Sequence, residues 1–460
     1  MMKKILLIIC LLFTITGYSQ DKAQRMDSLF TELFNTQKFY GNVLIAEKGK
    51  ILYQKSFGKA NRTANTDLNA ESMFELASVS KQFTAMGIML LKKQGKLSYE
   101  DSLRKFIPEL PYYNITVRQL LNHTSGLPDY MELFIKNWDT TKIAVNKDMI
   151  SLLAKNKPAM LFAPGEKWEY SNTGYALLAS IIEKVSGLSF GAYLQKNIFK
   201  PLEMKRTIVY RRRYEKKMMD NYAYGYVFDN SRKKFVLPDS LAGTATMVFC
   251  LDGIVGDGTV NSTTPDLLKW DRALYTEKLV SIEMIKEAFE PAKLNNGKTY
   301  DYGFGWGIGK ISGAGKVLTH TGGWPGYATL IERHIETDKT IIILQNAETG
   351  RPPLKSIHNI LYGLKEETHT EMKTGIVSPG QYSGEYELAP GFTIIISTEK
   401  DKIYAQATGQ EKFEIFAEKE DLFFLKVVEA KVKFIKDEKG TVKSLILYQN
   451  GREMEGAKIK

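Results

Sequence analysis

The sequence predicts an α+β fold: an antiparallel sheet flanked by helices, a helical subdomain inserted between its strands, and a small C-terminal all-β, barrel-like domain. Three observations predict it. Strand-length apolar runs occur near the start and again late in the chain, with helix-spaced runs between them. Beyond about residue 380 the helical spacing disappears and short strand patterns alone remain.

The N-terminus sets the compartment. Lys3 and Lys4 precede an apolar run from Ile5 to Phe13 that is too short to span a bilayer, which is the pattern of a secretory signal peptide. Gly17 and Ser19 supply the small residues that a signal peptidase needs, so residues 1–19 are expected to be removed and Gln20 to begin a periplasmic or secreted protein. Cys10 lies inside the apolar run, without the small-residue context of a lipidation site. Cys250 is then the remaining cysteine and no internal disulfide forms. In Met247-Val248-Phe249-Cys250-Leu251 it reads as a small buried hydrophobe, not a nucleophile.

The formal charge is +11, with Arg211-Arg212-Arg213 and Lys216-Lys217 as the densest cluster. No interleaved aromatics or groove-reading motif accompany it, so it reads as a solvated loop; neither nucleic acid nor stable membrane insertion is expected.

Asn42-Val43-Leu44-Ile45-Ala46 and Ile51-Leu52-Tyr53-Gln54 flank Glu47-Lys48-Gly49-Lys50, which predicts a hairpin. Helices follow over Phe83 to Lys93, stopped by Gly95, and over Gly174 to Val185, stopped by Gly187. Four further strands are expected at Phe304–Ile308, Val317–His320, Ala328–Ile331 and Thr340–Leu344. A polar linker, 365–379, then separates a larger domain, 20–364, from a tail, 380–460. Runs such as Thr393–Ile396, Lys402–Ala405 and Phe423–Lys426 in that tail predict a small up-and-down barrel.

Chemistry enters at Ser78-Val79-Ser80-Lys81. Serine and lysine three apart on a helix share a face, where a neutral lysine can accept the serine proton. The spacing alone is cheap, since Ser56…Lys59, Ser102…Lys105, Ser231…Lys234 and Ser397…Lys400 repeat it. Ser78 differs in context: Met73-Phe74-Glu75-Leu76-Ala77 leads an extended segment into an apolar helix, whose free first-turn amides can stabilise an anion. His123 lacks a nucleophile-elbow partner, and no His/Cys/Asp set has metal-ligand spacing, so neither a Ser-His-Asp triad nor a metal is predicted. No cofactor is expected.

Phe74-Glu75-Leu76-Ala77-Ser78-Val79-Ser80-Lys81 followed by Leu120-Leu121-Asn122-His123-Thr124-Ser125-Gly126-Leu127-Pro128 resembles the class C β-lactamase-related serine hydrolases, with their penicillin-binding-protein, esterase and D-aminopeptidase relatives. That family carries a Tyr-x-Asn element. Of Tyr112…Asn114, Tyr170…Asn172 and Tyr448…Asn450, the middle copy sits in the matching loop-to-helix context. The family's Lys-Thr-Gly element has two candidates. Lys373-Thr374-Gly375 follows the linker with no strand leading into it, whereas His320-Thr321-Gly322-Gly323 continues a strand. The tail resembles the lipocalin-like domain behind some of these hydrolases.

The resemblance implies Ser78 as nucleophile, with Lys81 and Tyr170 sharing removal of its proton. Asn172, His320, Thr321 and Gly322 bind and orient substrate, and the backbone amides of Ser78 and Gly323 form the oxyanion hole. A tyrosine, whose ordinary pKa is about 10, needs neighbouring positive charge for this work. Histidine at position 320, where β-lactamases carry lysine, is mostly neutral at pH 7 and holds a substrate carboxylate poorly. The expected activity is cleavage of a small acyl ester or a D-amino-acid or peptide amide, the substrate being a small molecule or short peptide, with cell-wall material a source. β-Lactamase or D-Ala-D-Ala carboxypeptidase activity is the first alternative. A non-catalytic binding or assembly protein is the second, though none of Ser, Lys or Tyr is lost.

Overall fold

Strands β1 (Gly41–Glu47) and β2 (Lys50–Phe57) form the predicted hairpin, closed by Lys48 and Gly49, both at positive φ as a tight two-residue turn requires. Four late strands extend the sheet: β3 (Gly307–Ile311), β4 (Gly315–Trp324), β5 (Tyr327–His334) and β6 (Lys339–Gln345). The order is β3-β4-β5-β6-β1-β2, antiparallel throughout, so β1 pairs along its length with β6 from Gly41↔Gln345 to Glu47↔Lys339. The computed structural model describes residues 21–364 apart from 312 and 351, and 371–460 apart from 373–378, 390, 391, 429, 450 and 451. The leader at 1–19, most of the linker and Lys373-Thr374-Gly375 lie outside the described residues.

The central strands are apolar on both faces because both faces are covered. On one, Leu44, Leu318, Ile331 and Ile342 join the main core built around helices α1 (Lys81–Lys93) and α2 (Asn172–Ser186). On the other, Val43, Ile45, Leu330 and Ile343 pack on Met26 and Phe30 of the N-terminal helix, 21–35, and on Ile357 and Leu361 of helix α3 (Leu354–Tyr362). Alternation is lost where neither side meets water, which is why Thr340-Ile341-Ile342-Ile343-Leu344 reads as one unbroken run.

Helix α1 is buried from Lys81 through Leu91. Phe83 packs on Phe199 and Trp270 at ring separations of 5.4 and 4.7 Å, and Trp270 Nε1 donates to Gln82 Oε1 at 2.8 Å. Gly87 lets α1 and α2 approach: a Cβ there would lie 2.7 Å from Ile182 Cδ1.

Two expectations need correction. Strand β3 begins at Gly307, not Phe304, because Phe304 and Trp306 turn into the core while Gly305, at φ +76°, lies against the Lys81 backbone. The arginine cluster is not a solvated loop. Arg212 pairs with Asp239, and Arg213, its side chain 11% exposed, bridges Asp239 and Asp252.

The chain divides into two units, Met1–Leu364 and Lys365–Lys460. The second is a closed antiparallel barrel of eight strands paired in chain order, sealed where Tyr386 and Glu387 of the first strand meet Lys458 and Ala457 of the last. Tyr382, Tyr386, Phe423 and Phe434 fill its interior, with Tyr382 and Phe434 rings 4.6 Å apart. Eight strands leave an interior of about side-chain width, and these rings occupy it. Among the described residues, no single helix is long and apolar enough to cross a membrane.

Candidate active site

The nucleophile candidate sits where a short strand meets α1. Phe74–Glu75 pairs with Val260–Ser262, and Ala77–Ser80 form one 3₁₀ turn that feeds the helix. Ala77 has φ +47°, a left-handed conformation that costs a non-glycine residue about 1 kcal/mol or more. The cost is met by fixing the turn from both sides. Leu76 N donates to Val260 O at 2.9 Å, and Thr329 Oγ1 of β5 donates to Leu76 O at 2.6 Å. Ser80 Oγ accepts from Val260 N at 3.1 Å, leaving Ser78 as the serine that lines the cleft.

Lys81 is the hub. Its Nζ donates to Ser78 Oγ at 3.1 Å, Asn172 Oδ1 at 2.9 Å and the Asp257 carbonyl at 2.8 Å. Three acceptors match the three N–H bonds of an ammonium. Asn172 opens α2 under a Ser171 cap, whose Oγ accepts from Gly174 N at 3.1 Å. Lys81 Nζ also lies 4.8 Å from the centroid of the Tyr170 ring, as a cation over a π-face. The buried Tyr170 hydroxyl has no hydrogen-bond partner among the described residues.

His320 reaches this cluster from β4, and both its ring nitrogens are engaged within the protein. Nδ1 lies 2.6 Å from Thr321 O and Nε2 lies 2.8 Å from Tyr302 Oη, which assigns the proton to Nδ1 and makes Nε2 the acceptor of the tyrosine hydroxyl. Burial first, and the Lys81 charge second, push its pKa down to about 3. His320 is therefore a neutral, internally satisfied residue, and a substrate carboxylate finds no free cation there. His123 from the Asn-His-Thr-Ser-Gly loop is also driven well down by burial. Its Nδ1 accepts from Ser171 N at 3.1 Å, and its ring is 4.4 Å from Tyr170 and 4.6 Å from Tyr302.

These histidines make a stability prediction. A group that stays neutral when folded but protonates when unfolded weakens the fold as pH drops from its unfolded pKa toward its folded one, here from about 6.5 to about 3. The limiting slope is about 1.4 kcal/mol per pH unit per histidine. Denaturant melts from pH 7 to 4 are expected to show wild type losing stability more steeply than His320→Gln. Parallel curves would show that His320 is not held neutral.

Ser78, Asn172 and Gly323 line an open cleft of about 560 Å³, together with Glu75, Asp252 and Asp257. Thr321 is exposed, while Gly322 is buried against the Ser78 turn. Ser78, Asn172 and Gly323 thus meet at the opening, with Lys81, Tyr170 and His320 packed together and Gly322 against the Ser78 turn, while Thr321 contributes its carbonyl to His320 and does not line the cleft.

Sequence reading missed Asp257, Tyr130 and Tyr302. Asp257 offers Lys81 its carbonyl and accepts from Tyr130 Oη on its carboxylate at 2.9 Å, and burial raises its pKa. It lies in Gly256-Asp257-Gly258. The fold needs glycine there, since a Cβ at Gly256 would meet Tyr175 O at 2.5 Å. Glu75 is half-buried, and loss of solvent raises its pKa to about 7.

Comparison with known proteins gives two family matches: residues 26–363 to the family model described as Beta-lactamase, and residues 379–458 to one described as a domain of unknown function, DUF3471. The chain is 44% identical over 451 residues to penicillin-binding protein 4* of Bacillus subtilis, covering 96% of this chain and 100% of that one. Its fold matches the octameric penicillin-binding protein homologue of Pyrococcus abyssi, with a TM-score of 0.66, 26% identity and coverage of 94% and 99%. It also matches the D-amino acid amidase of Ochrobactrum anthropi in fold, with a TM-score of 0.60, 23% identity and coverage of 76% and 100%.

Proposed function

Since the chain belongs to the beta-lactamase family of serine hydrolases, we propose that it is an exported enzyme cleaving a small acyl ester or a D-amino-acid or peptide amide through an acyl-enzyme on Ser78. The observation that carries this reading is the single Lys81 ammonium joining Ser78 Oγ, Asn172 Oδ1 and the Asp257 carbonyl at hydrogen-bond distance.

Ser78 Oγ attacks the carbonyl carbon, and the tetrahedral oxyanion is met by the amides of Ser78 and Gly323, one such donor being worth about 3 kcal/mol. With every Lys81 N–H already directed at an acceptor, the proton leaving Ser78 is assigned to Tyr170 acting as its phenolate, whose oxygen has no partner among the described residues and whose negative charge the Lys81 ammonium offsets. Collapse breaks the C–N or C–O bond and the leaving amine or alcohol takes that proton from Tyr170; water then adds to the acyl carbon as it gives a proton to the Tyr170 phenolate, and a second collapse breaks the Ser78 ester, releasing the acid while Ser78 Oγ takes the proton back from Tyr170. Three carboxylates, Glu75, Asp252 and Asp257, line the cleft. Arg213 holds Asp252 and burial raises the pKa of the other two, so their preference for a substrate amino group over a carboxylate strengthens as pH rises above neutrality.

Labelling with a fluorophosphonate is expected to place one adduct on Ser78, absent in Ser78→Ala, with turnover of p-nitrophenyl esters or D-amino-acid anilides. Neither adduct nor turnover would leave a binding protein that retains the fold. Cephalosporin hydrolysis is expected to be slow, since neutral His320 offers no cation to the substrate carboxylate; rapid turnover would overturn that specificity.

A further inference from the structure

On the sheet face opposite Ile331, the cross-strand neighbour of His320, strand β5 carries Glu332 and His334 two residues apart and therefore side by side. Helix α3 packs over this face and brings His358 and Tyr362, one turn apart, onto the same spot. Sequence spacing predicts no metal set because His358 is distant along the chain; the fold assembles one. Nε2 of His334 and Nε2 of His358 lie 2.8 and 2.6 Å from the same oxygen, Glu332 Oε1, and all three donor atoms fall within 4.8 Å of one another. Their side chains are 0, 13 and 4% exposed, in the order His334, His358, Glu332.

We propose that Glu332, His334 and His358 form a Zn²⁺ site that ties helix α3 to strand β5. Two imidazoles and one carboxylate are a borderline-soft donor set that suits zinc, and a divalent cation bonded to the buried carboxylate compensates it directly. The layer behind the ligands is already built: His334 Nδ1 lies 2.6 Å from Tyr362 Oη, which in turn lies 2.8 Å from Thr337 Oγ1. With zinc on Nε2, the His334 imidazole proton moves to Nδ1 and is donated to Tyr362, whose hydroxyl is donated to Thr337, so the chain behind His334 stays satisfied. Metal–ligand bonds of about 2.0–2.1 Å at tetrahedral angles place ligand atoms roughly 3.4 Å apart. Zinc thus replaces the two short N–H···O bonds, and His358, the outermost ligand, withdraws by roughly half an ångström or more. A fourth position, beside His358, is left to water.

The test uses the full mature chain, stripped with chelator and titrated calorimetrically with Zn²⁺, then with Co²⁺ as a spectroscopic stand-in. One metal per chain is expected, with the visible bands of low-coordinate Co²⁺, and a thermal midpoint rising by roughly 5 °C at a hundredfold excess over Kd. His358→Gln and Glu332→Gln are expected to weaken binding at least about tenfold while His358→Gln leaves Ser78 turnover intact. Should either variant fail to fold, X-ray absorption of zinc-loaded wild type must count two imidazoles. Absence of stoichiometric binding, binding undiminished in the variants, or fewer than two imidazoles would overturn the site.

Discussion

Replacing Lys81 with methionine is expected to lower both hydrolysis and fluorophosphonate acylation by roughly 10³-fold or more, an effect close to that of removing the serine itself. Methionine matches the lysine stem in volume, so the helix keeps its packing, but three hydrogen bonds vanish together. Asn172 Oδ1 and the Asp257 carbonyl are left in a buried layer without their donor, at about 1–3 kcal/mol each. Removing a buried cation offsets part of that cost. The expected signature is therefore a split: Ser78→Ala loses activity with its thermal midpoint almost unchanged, whereas Lys81→Met loses activity and about 1–4 kcal/mol of stability. Measuring kcat/KM and the unfolding curve of both variants checks it. Near wild-type acylation of Lys81→Met would remove the ammonium from the mechanism.

That hub also shows what a sequence can and cannot disclose. Ser78 and Lys81 are legible because helix geometry places residues three apart on one face, and the apolar context on either side marks a buried helix start. Tyr170 and Asn172 come from the family resemblance, which picks the copy of Tyr-x-Asn in the matching loop-to-helix setting. The third acceptor is not: Asp257 contributes a carbonyl, which every residue owns, so no side-chain pattern announces it. Ala77 at φ +47° is equally silent, since glycine or asparagine would have signalled a left-handed residue and alanine does not.

Partnerships between residues far apart in sequence account for the rest. The resemblance names His320, but its neutrality comes from Tyr302 and the Thr321 carbonyl, and only the fold puts the tyrosine there. Arg212 and Arg213 read as solvated charge because Asp239 and Asp252 lie on later loops. Strand β6 was easy for the opposite reason: burial on both faces leaves an unbroken apolar run that needs no partner to be read. Glu332 and His334 look like ordinary strand residues until α3 delivers His358.

Gly322→Ala is expected to be the most damaging of the single-methyl changes at the site, and Gly323→Ala beside it the most instructive control. Strand β4 passes so close to the nucleophile turn that a Cβ on residue 322 would lie 2.2 Å from Leu76 O, 2.3 Å from Thr329 Oγ1 and 3.1 Å from Ser78 N. The first two atoms are the partners of the hydrogen bond that fixes the turn, at 2.6 Å. Neither is the end of a flexible side chain, so the strand and the turn must separate. Parting them breaks that bond, releases the strained Ala77 and moves the Ser78 amide away from the Gly323 amide with which, in the proposed mechanism, it shares the oxyanion. The expected cost is about 3 kcal/mol in stability and roughly 10²- to 10³-fold in kcat. At Gly323 a Cβ meets nothing within 4 Å, and its backbone is not left-handed, so alanine there leaves the unfolding midpoint within about 1 kcal/mol of wild type. Any loss of rate in Gly323→Ala then reports crowding of the cleft alone, and depends on the bulk of the acyl group. If Gly322→Ala instead folded and turned over like wild type, the close approach of β4 to Ser78 would not be what positions the oxyanion donors.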